Sequence, residues 1–339
     1  MKLSIIVPVY NMASDDKLTW CMDSLVGQTV TDYEIIAVDD KSTDESYSIL
    51  KDYESRYPDL VRVYQCPVNL HQGGAKNIGM EHAAGEWIGF MDADDWVTPD
   101  CYERMLKLAE ETGADMVGCD YCLVDKHTYE QTAGTHNNDA SQTGILDEDK
   151  YKSLILNTGS LVVKLYKREI VIDCSSRFPE HIFYEDNALA ATWVLRAKHF
   201  EYIDEPLYFY YQHDSSTVHT ISMQRLDDRM SAARIMVDEA LKGGYYLRFH
   251  EEIEYLFARL FYMNTLMSYM IAVRPRHLKW IRKLGNEMRE QFPKFTENRY
   301  FVEKVHPEEQ KWARIQQKST TVFMLIYCLK EAYRKHRYK

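Results

Sequence analysis

Three carboxylates in four positions, Asp92, Asp94 and Asp95, directly follow the apolar run from Trp87 to Met91. Two carboxylates one residue apart in a turn can share a hard divalent cation. Such an ion prefers oxygen ligands and keeps sites for phosphate oxygens and water. The alternative is a helix N-cap with extra acids in its first turn, because Trp96 and Thr98-Pro99 open the next helix. Other apolar runs also end in polar groups: Leu3 to Val9 leads into Tyr10-Asn11, and Tyr33 to Val38 into Asp39-Asp40. Further along, Ile182-Phe183-Tyr184 leads into Glu185-Asp186.

The elements that carry these groups alternate. Leu3–Val9, Tyr33–Val38, Val61–Gln65 and Trp87–Met91 read as buried strands. Helices are expected at Lys17–Val26, from Ser42 or Thr43 as cap through Tyr53, and from Gly73-Gly74 to Ala84. Unbroken apolar strands separated by helices predict a parallel sheet covered on both faces. A sheet of that kind gathers ligands at the carboxyl ends of its strands. Pro99–Glu111 is expected as helix and Asp115–Val124 as strand. The polar connection 125–146 is too long for a simple turn, so it is a mobile flap or a hairpin. Asp147–Asn157 reads as helix, and Leu161–Ile172 as helix or strand. A helix from Glu185 to Ala197 precedes a strand at Phe200–Ile203 and the aromatic segment Tyr208–Tyr211. Beyond residue 222 the spacing is helical, with segments at 222–241, 248–272, 276–291 and 319–336. The expected division is an α/β nucleotide-binding domain over 1–220 and a helical region over 221–339.

Composition narrows the class. The net charge of −11 argues against a nucleic-acid partner. Residues 311–339 carry eight Lys/Arg and one acid, a net of +7, against −18 for the remainder. Seven cysteines at irregular spacing suggest reduced thiols, and Cys119-x-x-Cys122 has no second pair to complete a zinc site. The apolar run of Met1 to Val9 is too short for a signal peptide and is interrupted by Pro8. No uncharged apolar run reaches 18 residues, so a cytoplasmic protein without a transmembrane helix is expected. Neither G-x-G-x-x-G nor G-x-x-x-x-G-K-[ST] follows the first strand, so a diphosphate here needs a metal and a basic side chain.

The ordered motifs resemble glycosyltransferase family 2, the inverting enzymes with the GT-A fold. They are Ile5-Ile6-Val7-Pro8-Val9-Tyr10-Asn11, Cys21 to Thr29, Ile35 to Asp44, Ala75-Lys76-Asn77-Ile78-Gly79, Asp92-Ala93-Asp94-Asp95 and Tyr184-Glu185-Asp186-Asn187. The resemblance runs from residue 3 to about 219 and leaves the helical remainder uncovered. It implies a Rossmann-like, mostly parallel sheet flanked by helices, with the C-terminal helices as an appendage. It further implies that Pro8, Tyr10 and Asp39 hold the nucleoside of a UDP-sugar and that Lys76 faces the diphosphate. Asp92 would contact the ribose or the metal, Asp94 would be the main ligand of Mn2+ or Mg2+, and Asp186 the general base. Simpler roles stand beside these: Asp39 as a turn residue, Lys76 as a solvated helix charge, Tyr10 as core, and Asp186 as a helix cap.

Three departures from the family pattern stand out. His71-Gln72 replaces a glycine and a small apolar residue, Lys76 offers a point charge where Arg is frequent, and Tyr211 also stands where Arg is frequent. His213 or His219 is a candidate for metal or diphosphate, or is structural. The expected activity is transfer of a sugar from a UDP-sugar to a saccharide or lipid-linked acceptor in cell-surface polysaccharide synthesis. The competing classes are a nucleotidyltransferase and a non-catalytic nucleotide-sugar-binding subunit. The basic C-terminus is either a peripheral attachment to the inner membrane face or the solvated end of a docked helix.

Overall fold

The computed structural model describes residues 1–131, 134–174, 176–212 and 221–337. The chain divides into two compact units, Met1–His219 and Thr220–Lys339.

The first unit is built on a nine-stranded sheet of order β3-β2-β1-β4-β8-β6-β9-β5, with β7 paired to β9. Its strands are β1 (Leu3–Val9), β2 (Tyr33–Asp39), β3 (Val61–Gln65), β4 (Trp87–Phe90), β5 (Trp96–Val97), β6 (Met116–Val124), β7 (Gly144–Ile145), β8 (Lys164–Lys167) and β9 (His199–Tyr211). The β3-β2-β1-β4 portion is parallel. β8 enters antiparallel between β4 and β6, and β6 pairs with β9 in parallel. The stretch 161–172 is both strand and helix: β8 is followed at once by the single turn α6 (Arg168–Val171). β9 is continuous across two stretches that read separately in the sequence. Pro206 sits between them, opposite a register shift at Asp120.

The helices of this unit are α1 (Lys17–Val26), α2 (Ser46–Arg56), α3 (His71–His82), α4 (Cys101–Thr112), α5 (Glu148–Leu156), α6 and α7 (Glu185–Val194). Odd positions of β1 (Leu3, Ile5, Val7, Val9) join Leu18, Cys21, Met22 and Leu25 of α1 in the core. Each such side chain stabilises by about 1.5–3 kcal/mol when fully buried. On the opposite face α3 lies close to β1, where a Cβ on Gly79 would come within 2.4 Å of the Ile6 side chain. The sheet is therefore covered on both sides, which is why its strands are apolar without alternation. Pro8 is tolerated inside β1 because the β4 ladder ends at Ile6↔Phe90, just before it. Ser42 and Thr43 do not cap α2, whose N-terminal Glu45 makes no side-chain cap bond. They tie instead to Asn11: Asn11 N donates to Ser42 Oγ (3.0 Å), and Thr43 N donates to Asn11 Oδ1 (2.8 Å).

The second unit is helical: α8 (Met223–Lys242), α9 (His250–Phe257), α10 (Thr265–Ala272), α11 (Leu278–Gln291), α12 (Arg299–Lys304), α13 (Pro307–Lys318) and α14 (Thr320–Arg337). Between α9 and α10, Ala258–Asn264 winds as a π-helix, so residues 250–272 form one continuous rod. Ile253, Phe257 and Phe261 are buried along it. The helices α12 and α13 fall where the sequence reading expected none. α12 has only six residues, and α13 is strongly polar in composition, with few large apolar residues to mark its buried side. No helix among the described residues is long and apolar enough to cross a membrane.

Candidate active site

The carboxyl ends of β1, β2 and β4 bring together most of the groups singled out in the sequence. Tyr10 leaves β1 as an exposed residue (45%), and Asn11 beside it takes a left-handed conformation (φ 54). Asp39 at the end of β2 is fully buried and accepts from Gln65 Nε2 (2.9 Å) and from Ser42 N. Asp40 is also buried; it accepts from Leu70 N (2.6 Å) and fixes the entry to α3. Burial pushes its carboxyl above the usual range, against those backbone bonds.

The acidic turn after β4 separates its three carboxylates. Asp92 and Asp94 are half-buried, whereas Asp95 is fully buried. Asp95 accepts from the Tyr208 hydroxyl and from Tyr211 N (2.8 Å), so it ties β9 to the turn. Its own N–H closes the turn on Asp92 O at 3.2 Å. Asp92 is pushed up to about 7, chiefly by burial; Lys76 opposes the rise, and Asp94, Glu185 and Asp186 add to it. These groups therefore feel one another across the cleft.

Lys76 is on α3 with its side chain only 3% exposed, and its Nζ donates to Glu185 Oε1 at 2.7 Å. The ammonium also lies over the Phe178 ring, 5.4 Å from its centroid. α7 begins at Glu185, so both acids lie in its first turn. Asp186 is half-buried and accepts from Asn187 N (2.8 Å) and Asn187 Nδ2 (2.9 Å). Burial, and next Glu185, raise its carboxyl above the usual range, while Lys76 and Asn187 pull it down. Tyr211 donates its hydroxyl to Asp15 Oδ2 (2.7 Å). His213 and His219 lie outside the described residues.

Asp95, Glu185 and Gln65 were not assigned these roles from the sequence. Asp95 could be suspected only as the third acid of its run; nothing local marks Gln65 or the Lys76–Glu185 pair. Asp120, His136 and Asp204 also have ligand atoms within 4.8 Å of one another, a spacing that could hold a metal ion. His136 Nδ1 sits 2.9 Å from Asp120 Oδ2 and 3.2 Å from Asp204 Oδ1, so the imidazole already bridges the two carboxylates. Asp94 is not a member of that group.

The family model for glycosyl transferase family 2 matches residues 4–174, half of the chain, and spans β1 to β4 and the acids from Asp39 to Asp95, but not Glu185 or Asp186. The chain belongs to glycosyltransferase family 2. It is 31% identical over 277 residues to the uncharacterized glycosyltransferase YibD of Escherichia coli K12, covering 75% of this chain and 76% of that one. It is 33% identical over 218 residues to the poly(ribitol-phosphate) beta-glucosyltransferase of Bacillus spizizenii; that match covers 62% of this chain but 32% of the relative. Among solved structures, S. aureus TarS 1–349 in complex with UDP-GlcNAc superposes with a TM-score of 0.70 at 21% identity, covering 99% of this chain and 92% of that one. The GT-A fold expected from the motifs is the fold of this glycosyltransferase.

Proposed function

We propose that this glycosyltransferase moves a sugar from a UDP-sugar to a hydroxyl of a saccharide or lipid-linked acceptor, with inversion, in cell-surface polysaccharide synthesis. The reading is supported above all by the buried Lys76–Glu185 pair that joins α3 to the start of α7, with its charges and those of Asp94 and Asp186 all bearing on Asp92. In this reading Tyr10, Pro8 and Asp39 receive the nucleoside, and a base donor reaching Asp39 displaces the Gln65 amide. Lys76 lends positive charge beneath the diphosphate.

The donor set at Asp92 and Asp94 is hard oxygen, and Asp92 is pushed up to about 7 by burial and by the surrounding carboxylates. That donor set suits an oxygen-preferring divalent cation held mainly by Asp94, and a bound cation would favour the ionised form of Asp92. Mn2+ or Mg2+ bound there supplies Lewis-acid neutralisation of the diphosphate. Asp186, ionised, takes the acceptor proton. The acceptor oxygen then bonds the anomeric carbon as the bond from that carbon to the diphosphate oxygen breaks, and UDP leaves on the opposite face.

Thermal melts with a panel of UDP-sugars, with and without Mn2+, test this. A ligand present at 100 times its Kd adds about 2.7 kcal/mol to stability, so one UDP-sugar should raise Tm by several degrees only when metal is present. Release of pyrophosphate from a nucleoside triphosphate would instead favour the nucleotidyltransferase. Absence of slow metal-dependent UDP-sugar hydrolysis would favour a non-catalytic subunit.

The acceptor reading extends to a membrane surface, with the protein working in the cytoplasm at the inner face. Along α14, Val322, Leu325, Ile326, Leu329 and Tyr333 are exposed at helical spacing and form one apolar stripe. Lys330 and Arg334 flank it, and a cleft lined by Lys311, Trp312, Ile326 and Lys330 adjoins it. A helix with an apolar face and a basic flank lies well in an anionic interface, where each cation contributes roughly 1 kcal/mol. Flotation with phosphatidylglycerol-rich liposomes should recover the full chain but far less of Leu325→Glu/Leu329→Glu. Equal recovery of both retires the membrane reading.

A further inference from the structure

The segment that leads into α7 is held against α3 at several points. Asn77 forms a reciprocal pair with the backbone of Phe178, donating Nδ2 to its carbonyl (2.9 Å) and accepting its N–H on Oδ1 (3.0 Å). His181 N donates to Leu70 O at 2.9 Å. Lys76 bridges to Glu185 with both side chains buried, at 3% and 6% exposure. The approach is close enough to need glycine at position 73, where a Cβ would lie 2.1 Å from Pro179 O.

The segment does not hold itself. His181 (φ 59) and Tyr184 (φ 66) are left-handed without being glycine. Such backbone costs of order 1–3 kcal/mol per residue and persists only where the surroundings fix it. Asp186 takes its hydrogen bonds from its neighbour Asn187, a local contact that moves with the helix and sets nothing relative to the sheet. The direction of the Asp186 carboxylate is therefore decided one residue earlier, by the bond from Glu185 to Lys76.

We infer that Glu185, with Asn77 behind it, is a positioning residue that aims Asp186 into the cleft by clamping the start of α7 to α3. The inference rests on the reading of Asp186 as the base. A buried ion pair is a poor source of net stability, yet losing one partner frees or misdirects the other. A pair that links two elements across the cleft from the acidic turn acts on geometry. Glu185 is not free to serve as the base itself while its carboxylate holds the Lys76 ammonium.

Four proteins test this: wild type, Glu185→Gln, Asp186→Asn and the double variant, each assayed for kcat, donor KM, UDP affinity by calorimetry and Tm. Misplacement of a reacting group by about 1 Å costs about 10²-fold in rate. Glu185→Gln reduces the ion pair to a neutral hydrogen bond, so kcat should fall by up to about 10²-fold and by more than any change in donor KM or UDP affinity, a split that marks a transition-state defect. In the Asp186→Asn background the same change should cost nothing more, because the group it aims is gone. Wild-type kcat in Glu185→Gln overturns the inference, and so does a loss that multiplies onto that of Asp186→Asn. If Asp186→Asn fails while Glu185→Gln is normal, the base stands and only the clamp falls. If Asp186→Asn turns over normally, the base reading falls and takes the clamp with it. Should Glu185→Gln not fold, Asn77→Asp breaks the bond to the Phe178 carbonyl and carries the same comparison.

Discussion

Asp94→Ala is expected to give a folded protein that has lost metal-dependent UDP binding and at least about 10³-fold of its turnover. The size follows from the several kcal/mol of charge stabilisation a divalent cation supplies at a leaving diphosphate, each 1.36 kcal/mol being tenfold in rate. The fold should survive because the acidic turn is fixed by its neighbour. Asp95 receives Tyr208 and Tyr211 N and closes the turn onto Asp92 O, and none of those bonds involves the Asp94 side chain. Calorimetry of UDP binding with and without Mn2+ makes the check, and wild-type affinity in the variant sinks the assignment. His136→Ala is the matched control. Its side chain is 74% exposed, so the change should cost little stability. It should also leave UDP binding intact unless the metal sits with Asp120 and Asp204 instead.

Asp186→Asn should keep its melting temperature and UDP-sugar affinity while turnover falls by about 10²–10⁴-fold, the usual contribution of a general base. Asparagine preserves the size of the side chain in the first turn of α7 and its amide oxygen can still accept from Asn187 N, so a purely structural role predicts no such loss. Burial and Glu185 raise the Asp186 carboxyl above the ordinary carboxylate range. A base with a raised pKa is lost on the acid side, so the acid limb of kcat/KM in the wild type should lie above the usual carboxylate titration. That limb should vanish in Asp186→Asn. Near-normal turnover with the limb unchanged would assign the proton transfer to another group.

Much of this protein is determined locally and was legible in its sequence. Apolar runs ending in Tyr10, Asp39 and Asp92 define strands that can only be buried on both faces, and strands of that kind deliver their last residues to one edge. The order of motifs from Ile5 to Asn187 was enough to identify the family and hence the fold. Local pattern failed where a bond joins distant residues. Lys76 meets Glu185 across 109 positions, Tyr208 meets Asp95 across 113, and Asn77 meets Phe178 across 101. No periodicity or cap rule acts over such separations, so the burial of Lys76 against Glu185 and the structural use of Asp95 left no local mark. Ser42 and Thr43 illustrate the reverse error, for a residue type that favours caps was claimed by Asn11 on the neighbouring strand end. The residue types at the cleft were set by the sequence. Which carboxylate faces it, which is spent holding β9, and which is held by Lys76 was decided only when the sheet brought α3, α7 and the acidic turn together.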